Sequence, residues 1–487
     1  MEKEDIQFAS NPTTLTKKTK IVATIGPASM QKDILKEMFL NGLNVCRLNF
    51  SHGSYDDHAT VIKNVRELND ELGLNVSMLA DLQGPKIRTH EMENNGVNLT
   101  PGNELLVVVE KVLGTAEKIS INYVELPKEV KSGERILLDD GKIVLEVIST
   151  DGSKEIKTKI INGGILSSKK GVNFPNTKIS LPSLTEKDRL DLEFAIENQV
   201  DWIGLSFVRS ARDIIDLKHI ISEKQSNALV IAKIEKPEAV AEMDDIIQES
   251  DGLMVARGDL GVEIPYQQVP LIQKLLIQKA IRAAKPIIVA TQMMESMITN
   301  LTPTRAEVND VANAVLDGAD AVMLSGETSV GKYPIQVIQT MSNIVMEVEK
   351  HDQIYNKEEI PSKVQDRFIT DSICFNACRL SQRVEASALI TMTFSGYTAY
   401  KIASQRPKSP IYVFTSNPNI LSQLSLVWGV KAFYYNKRIS TDHTIADIKY
   451  LLKKNGLLDV GDLVVNIASI PLEDLGGSNM LKLSYVD

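Results

Sequence analysis

The 487-residue chain carries 43 % hydrophobic and 24 % charged residues and a formal net charge of -9, the balance of a globular protein long enough for two or three folded units. Its 54 basic residues are scattered among 63 acidic ones, which excludes a basic stripe for nucleic acid, and no apolar run approaches the roughly 20 residues of a membrane span. Three cysteines build no disulfide framework, so a cytoplasmic protein without a membrane partner is expected.

Residues 1–16 are polar and mixed in charge and read as a flexible tail, with no apolar segment for a secretory signal. Short β-branched runs then alternate with segments of helical period: "TKIVATIG", "LNVCRLNF", "VSMLADL", "DWIGLSF", "LVIAKIE", "GLMVARGDL", "PIIVATQ" and "DAVMLS". Eight such strand–helix units predict an α/β chain with a closed (β/α)8 TIM barrel, formed by residues 17–84 and 182–350. The third strand is parted from its helix by residues 85–181, where "NELLVVVE", "GERILLDDGKIVLEVIS" and "EIKTKIING" have strand composition and Asp140-Gly141 suits a tight hairpin. This interval predicts an inserted small β-barrel-like lid domain over the barrel mouth. Beyond a charged stretch, residues 351–487 open with a helix ending near Arg383 and continue with "ASALITMTF", "SPIYVFT", "VKAFYYN" and "DLVVNIAS". That alternation predicts a C-terminal open α/β sheet.

In a barrel of this kind chemistry gathers at the carboxyl ends of the strands. Polar residues are dense there: Arg47, Asn49 and Ser51 after strand two; Asp81, Lys86 and Arg88 after three; Lys233 and Glu235 after five. Strand six adds Arg257 and Asp259, strand seven Thr291 and Gln292, strand eight Ser325 and Glu327. Glu235 and Asp259 supply two hard oxygen ligands from neighbouring strands, a set that suits Mg²⁺ completed by water and substrate phosphates. Lys233 shares a side of its strand with Glu235 and so points into the same mouth. Together these side chains could stabilise charge during phosphoryl transfer or enolate formation. "GETSVGKY" reads as a phosphate-binding loop except that Tyr333 stands where Ser or Thr should meet Mg²⁺; it is taken as the last loop of the barrel. Cys374 and Cys378 lie four apart on a helix without further ligands and read as structural thiols.

The strand-end residues sit in stretches that resemble the pyruvate kinase family across nearly the whole chain: "TIGPAS", "RLNFSHG", "DLQGPKIRT", "KKGVNFP", "MVARGDLGVEIP", "ATQMMESM", "PTRAEVNDVANAVLDGADAVMLSGET" and "GKYP". The resemblance implies transfer of a phosphoryl group from phosphoenolpyruvate to ADP, giving pyruvate and ATP, with Mg²⁺ or Mn²⁺ as cofactor. It implies that Lys233 stabilises the transferring group and the enolate, that Glu235 and Asp259 ligate the metal, and that Arg47 holds the phosphate. Gly258, Asp259 and Thr291 match positions against the substrate carboxylate, and Thr291 and Ser325 are candidates for the proton relay. Asn49, Phe50, Ser51, His52, Arg88 and Lys170 match nucleotide-contacting positions. Asn49, Ser51, Asp81 and Leu82 match a monovalent-cation site, yet Lys86 stands where K⁺-requiring members carry glutamate, so K⁺ is not expected to be required.

In the third domain, "TMTFSGYTAYKIASQRP" places Thr393, Ser395, Gly396 and Thr398 in a turn between a strand and a helix, where a phosphate could be held. The family resemblance implies a sugar-phosphate or AMP effector there and a homotetramer; because "SIPLEDLGGSNMLKL" has Glu473 and Asp474 but lacks the arginine and tryptophan of fructose-1,6-bisphosphate-activated members, a monophosphate such as AMP, ribose 5-phosphate or glucose 6-phosphate is expected. Two other readings share parts of the pattern. Another Mg²⁺-dependent barrel acting on enolates does not account for the lid or the long eighth-strand motif. A non-catalytic sugar-phosphate sensor is opposed by the intact set Lys233, Glu235, Asp259 and Thr291.

Overall fold

The computed structural model describes residues 17–362, 366–437, 440–470 and 477–487; the expected tail at 1–16 lies outside them. Lys20–Thr24, Val45–Asn49, Ser77–Asp81, Trp202–Leu205, Leu229–Ile234, Gly252–Ala256, Ile287–Ala290 and Ala321–Leu324 form eight parallel strands that close in chain order. All eight lie in the predicted runs. Each strand is buried on both faces, which is why the runs are continuously apolar rather than alternating. Val22, Val45, Leu79, Trp202, Ile231, Met254 and Ile288 fill the barrel's interior, while Ile21, Leu48, Ile203, Val230 and Val289 pack against the surrounding helices. Capping boxes at Ser54, Thr185 and Thr304 start three of those helices, satisfying backbone N–H groups that the first turn would otherwise leave bare.

The insert is a six-stranded sheet curled around Leu105, Val107, Ile119, Ile136, Leu145 and Ile156. Its hairpin pairs Leu138 with Ile143, and the turn takes Asp139, Asp140 and Gly141 through positive φ of 51°, 57° and 81°. The C-terminal sheet runs in the order Val430–Tyr434, Ile411–Thr415, Ala388–Met392, Leu463–Ala468, Met480–Tyr485. Its first four strands are the predicted ones. The fifth is antiparallel and sits at the edge with little of its surface covered, so its sequence lacks the apolar run that marked the others.

This third domain seals the amino-terminal end of the barrel. Leu426 joins the barrel's interior cluster. The Ser422 hydroxyl donates to the Asp201 carboxylate, the Ser425 hydroxyl to the Asn75 carbonyl, and Gln423 Nε2 to the Asn227 carbonyl at 2.8 Å. Arg406, fully buried, pairs with Asp320 at 2.8 Å and lies 5.0 Å from the Trp428 ring centroid.

Three lysines line the same seam. Glu349 accepts the Lys18 and Thr19 backbone N–H groups at 2.7 and 2.6 Å, while the Lys18 ammonium donates to the Pro407 and Ser409 carbonyls and that of Lys20 to the Val430 carbonyl. Burial pulls Lys18 and Lys20 down to about 8 and also lowers Lys17, to which Lys20 adds repulsion. The unfolded chain therefore binds more protons than the folded one between about 8 and the ordinary lysine value near 10.4. Stability contributed by this seam is lost below that window and gained as the pH rises through it. Thermal denaturation followed from pH 7 to 10 should show a rising contribution in the wild type that Lys20→Met flattens.

Candidate active site

The carboxyl end of the barrel gathers charge around one residue, Asp81, which ends the third strand and is 1 % exposed. Arg47, from the second strand, donates from Nε to Asp81 Oδ2 at 2.8 Å and from Nη2 to the same oxygen, while its Nη1 reaches Thr24 Oγ1 at 2.7 Å. Lys233, from the fifth strand, stands 3.1 Å from Asp81 Oδ1 and 3.1 Å from Glu235 Oε1, and donates to Ser206 Oγ at 2.7 Å. Asp81 pairs in register with Gly204, and a Cβ there would come within 3.1 Å of Asp81 Oδ1. The missing side chain makes room for the carboxylate. Burial alone would raise the Asp81 carboxyl, but the Arg47 and Lys233 charges outweigh it and hold it below the usual carboxylate range. Burial likewise opposes the Lys233 ammonium, and Asp81 and Glu235 overcome it, so Lys233 stays charged above its ordinary value.

Glu235 is buried, and burial pushes its carboxyl up against the opposing pull of Lys233. Its Oε2 accepts the Phe207 backbone N–H at 2.8 Å. Its Oε1 has no hydrogen-bond partner, only the Lys233 ammonium at an unsuitable angle. A buried carboxylate oxygen without a donor fits a cation ligand. Asp259 stands on the short helix Arg257–Glu263 and lines an open cavity of about 50 Å³ between mouth and lid. Among the described residues no three acidic, histidine or cysteine side chains cluster as a metal cage; two carboxylates completed by water and substrate would suit Mg²⁺.

Thr291 holds a left-handed backbone at φ 70°, unusual for a β-branched residue and the kind of strain that concentrates at working sites. Its hydroxyl accepts the Gly258 N–H at 2.8 Å and donates to the Ala290 carbonyl at 2.6 Å. Arg257 braces the turn, donating to the Ala290 and Thr291 carbonyls at 3.2 and 2.6 Å and pairing with Asp310 at 2.8 Å. Ser325 is half-buried, and its N–H is held by Glu327 Oε2 at 2.7 Å, whose other oxygen takes the Met294 N–H. Arg257 and Glu327 thus position the loops that carry Thr291 and Ser325.

The remaining predicted positions separate. Asn49 Oδ1 accepts the Ser51 N–H at 3.2 Å, shaping the turn after strand two, and His52 is exposed beyond it. The Phe50 ring is turned away into an aromatic cluster with Tyr55, His58 and Phe194, so only its backbone faces that turn. Lys86 is exposed on the cavity wall with Asp259 and has no ion pair among the described residues. Arg88 Nη1 donates to the Lys169 carbonyl at 3.1 Å, and Lys170 pairs with Asp139 at 2.8 Å within the lid. In the third domain Gly396 has φ 84° and its N–H meets Thr393 Oγ1 at 3.0 Å, while Ser395 is exposed. Thr398 is buried and shares a 2.9 Å hydrogen bond with Ser478. Glu473 and Asp474 lie outside the described residues.

The first and fourth strands also deliver site residues, Thr24 and Ser206, which the collection of strand-end polar groups passed over. Ser206 Oγ donates to the Leu82 carbonyl at 2.7 Å while accepting from Lys233. Its place directly after "WIGL" was the available signal.

Fold and site together define a barrel enzyme that handles anionic substrates with paired cations and carboxylates. Family models described as "Pyruvate kinase, barrel domain" and "Pyruvate kinase, alpha/beta domain" match residues 16–338 and 371–484. Pyruvate kinases of Geobacillus stearothermophilus and Bacillus licheniformis are 45 % and 44 % identical over 97 % and 96 % of this chain, and 81 % and 80 % of theirs. A crystal structure of a pyruvate kinase from Cryptosporidium parvum shares the fold with a TM-score of 0.91 at 34 % identity, over 99 % of this chain and 98 % of that one. The chain belongs to the pyruvate kinase family and is a phosphotransferase.

Removing one member of a buried ion pair leaves the other uncompensated, typically at about 3–5 kcal/mol. Asp81→Asn leaves Arg47 without its carboxylate and Lys233 with only Glu235, and should lower stability by about that much, read as a fall in the denaturant midpoint; Thr24→Val should shift it far less.

Proposed function

We propose that the protein transfers the phosphoryl group of phosphoenolpyruvate to ADP with Mg²⁺ or Mn²⁺ held by Glu235 and Asp259, without a requirement for K⁺. The observation that carries this reading is Lys233 fixed between two buried carboxylates beside Arg47. In the reaction the bond between phosphorus and the enol oxygen breaks and a bond to a β-phosphate oxygen of ADP forms. The enolate left behind takes a proton on carbon. Arg47 and Lys233 supply positive charge to the phosphoryl oxygens, and Lys233 then faces the enolate. A divalent cation on Glu235 and Asp259 supplies further polarisation of those oxygens when bound. Gly258, Asp259 and Thr291 orient the carboxylate, and Thr291 and Ser325 are the candidate hydroxyls for the proton relay. The nucleotide lies along Asn49–His52 and Arg88, with Lys170 brought from the lid, whose cover limits the water that could intercept the phosphoryl group.

Lys86, exposed on the cavity wall, would provide the positive charge that K⁺ otherwise brings; Asn49, Ser51, Asp81 and Leu82 form the alternative cation site. Pyruvate formation should reach full rate in buffer free of K⁺ and Na⁺, and Lys86→Glu should then need KCl. A wild-type rate that appears only after KCl would keep the phosphotransferase and remove the role given to Lys86.

The turn Thr393–Thr398 is proposed to hold the phosphate of AMP or a sugar monophosphate, since its exposed hydroxyl and left-handed Gly396 sit at a helix start. Titration with AMP, ribose 5-phosphate and glucose 6-phosphate at subsaturating phosphoenolpyruvate should raise the rate with at least one. No response to any of them rejects this effector site. The proposed assembly is a homotetramer, checked by light scattering.

A further inference from the structure

The lid meets the helix that carries Asp259 at a buried carboxylate. Glu263 ends the helix Arg257–Glu263 that carries Asp259, and its side chain is fully buried. Its Oε1 accepts from Lys236 Nζ at 2.6 Å and from Asn173 Nδ2 of the lid at 2.8 Å, while Oε2 has no hydrogen-bond partner. Lys236 follows Glu235 directly in the chain. Its ammonium also lies 5.8 Å from the centroid of the Phe207 ring, and the Phe207 N–H is the group that holds Glu235 Oε2. Phe207 itself has φ 54° and stands against Gly84, where a Cβ would meet its ring at 2.9 Å. Gly84 is two residues before Lys86, at the point where the chain leaves the barrel for the lid. One ion pair therefore touches the lid, the residue beside one proposed metal ligand, the helix of the other, and the aromatic packed on the hinge.

We propose that Glu263 and Lys236 are positioning residues that couple seating of the lid to the geometry of Glu235 and Asp259, so that cation binding and lid closure favour one another. This rests on the assignment of Glu235 and Asp259 as the metal ligands. A buried ion pair is a costly way to join two segments, since desolvation offsets most of its attraction. It has, however, only one arrangement that satisfies all its partners, which is what an orienting contact needs. Groups that orient metal ligands typically change metal affinity by about 10–100-fold when removed.

The test is a Mn²⁺ titration of the nucleotide-free enzyme by electron paramagnetic resonance, joined to steady-state kinetics in ADP and to tryptic cleavage of the lid with and without Mn²⁺. Glu263→Gln, which keeps shape and loses charge, should weaken Mn²⁺ by about tenfold, raise the KM for ADP, and abolish the protection that Mn²⁺ gives the wild-type lid. Lys236→Met should do the same, which guards against a folding defect peculiar to one variant. Asn173→Ala, which cuts only the lid arm, should raise the KM for ADP and remove the protection while leaving kcat and direct Mn²⁺ affinity closer to wild type than Glu263→Gln does. Mn²⁺ affinity within twofold of wild type in both Glu263→Gln and Lys236→Met, with Asp259→Asn losing it, would overturn the coupling alone. Unchanged affinity in Asp259→Asn would overturn the metal assignment and the coupling with it.

Discussion

The buried Asp81 carboxylate is the constraint from which the rest of the site follows. Two cations, Arg47 and Lys233, converge on it from strands on either side of the mouth, and its charge offsets the cost of burying them. The barrel accommodates this by leaving the neighbouring register position to Gly204. A chain with net negative charge can thus hold two cations in its mouth, because the local field depends on which charges are buried and aimed. The second carboxylate, Glu235, extends the cluster toward Asp259, and the alternation of positive and negative groups is what an anionic substrate with a cation would complete.

Around this cluster the loops are held by polar contacts to their backbone as well as by buried apolar side chains such as Leu260, Met293 and Met297. Arg257 ties down the turn that strains Thr291, and Glu327 collects N–H groups from two loops. Rigid loops on a rigid barrel keep donors in place before a substrate arrives, so less of its binding energy goes into ordering the protein. The lid meets the barrel through polar contacts at its edge, Asn173 with Glu263 and Arg209 with the Ile179 and Leu181 carbonyls.

Much of this was legible in the sequence because a parallel barrel writes itself as buried runs of regular length, with polar residues marking each strand's end. Lys233, Glu235, Asp259 and Thr291 were found by that rule, and the family resemblance gave them roles. Residues that act through a neighbour were harder to see. Ser206 carries no motif of its own, and Glu263 lies inside "MVARGDLGVEIP" without a role assigned to it; the importance of each lies in which side chain it meets after folding. Phe50 shows the opposite limit: it sits inside a motif, yet strand and turn geometry point its ring into the core. The edge strand Met480–Tyr485 escaped notice because an edge needs little apolar surface.

The barrel has one closed end and one working end, and the two are not far apart. Asp201, in contact with Ser422 of the third domain, is separated from Ser206, in contact with Lys233, by the single strand Trp202–Leu205. Asn75 and Asp81 bracket the third strand in the same way. At roughly 3.3 Å per residue these strands are struts less than 20 Å long, too short and too tightly paired to bend. The residues that meet the third domain and those that meet the charged cluster are therefore held at a fixed separation along the same strands.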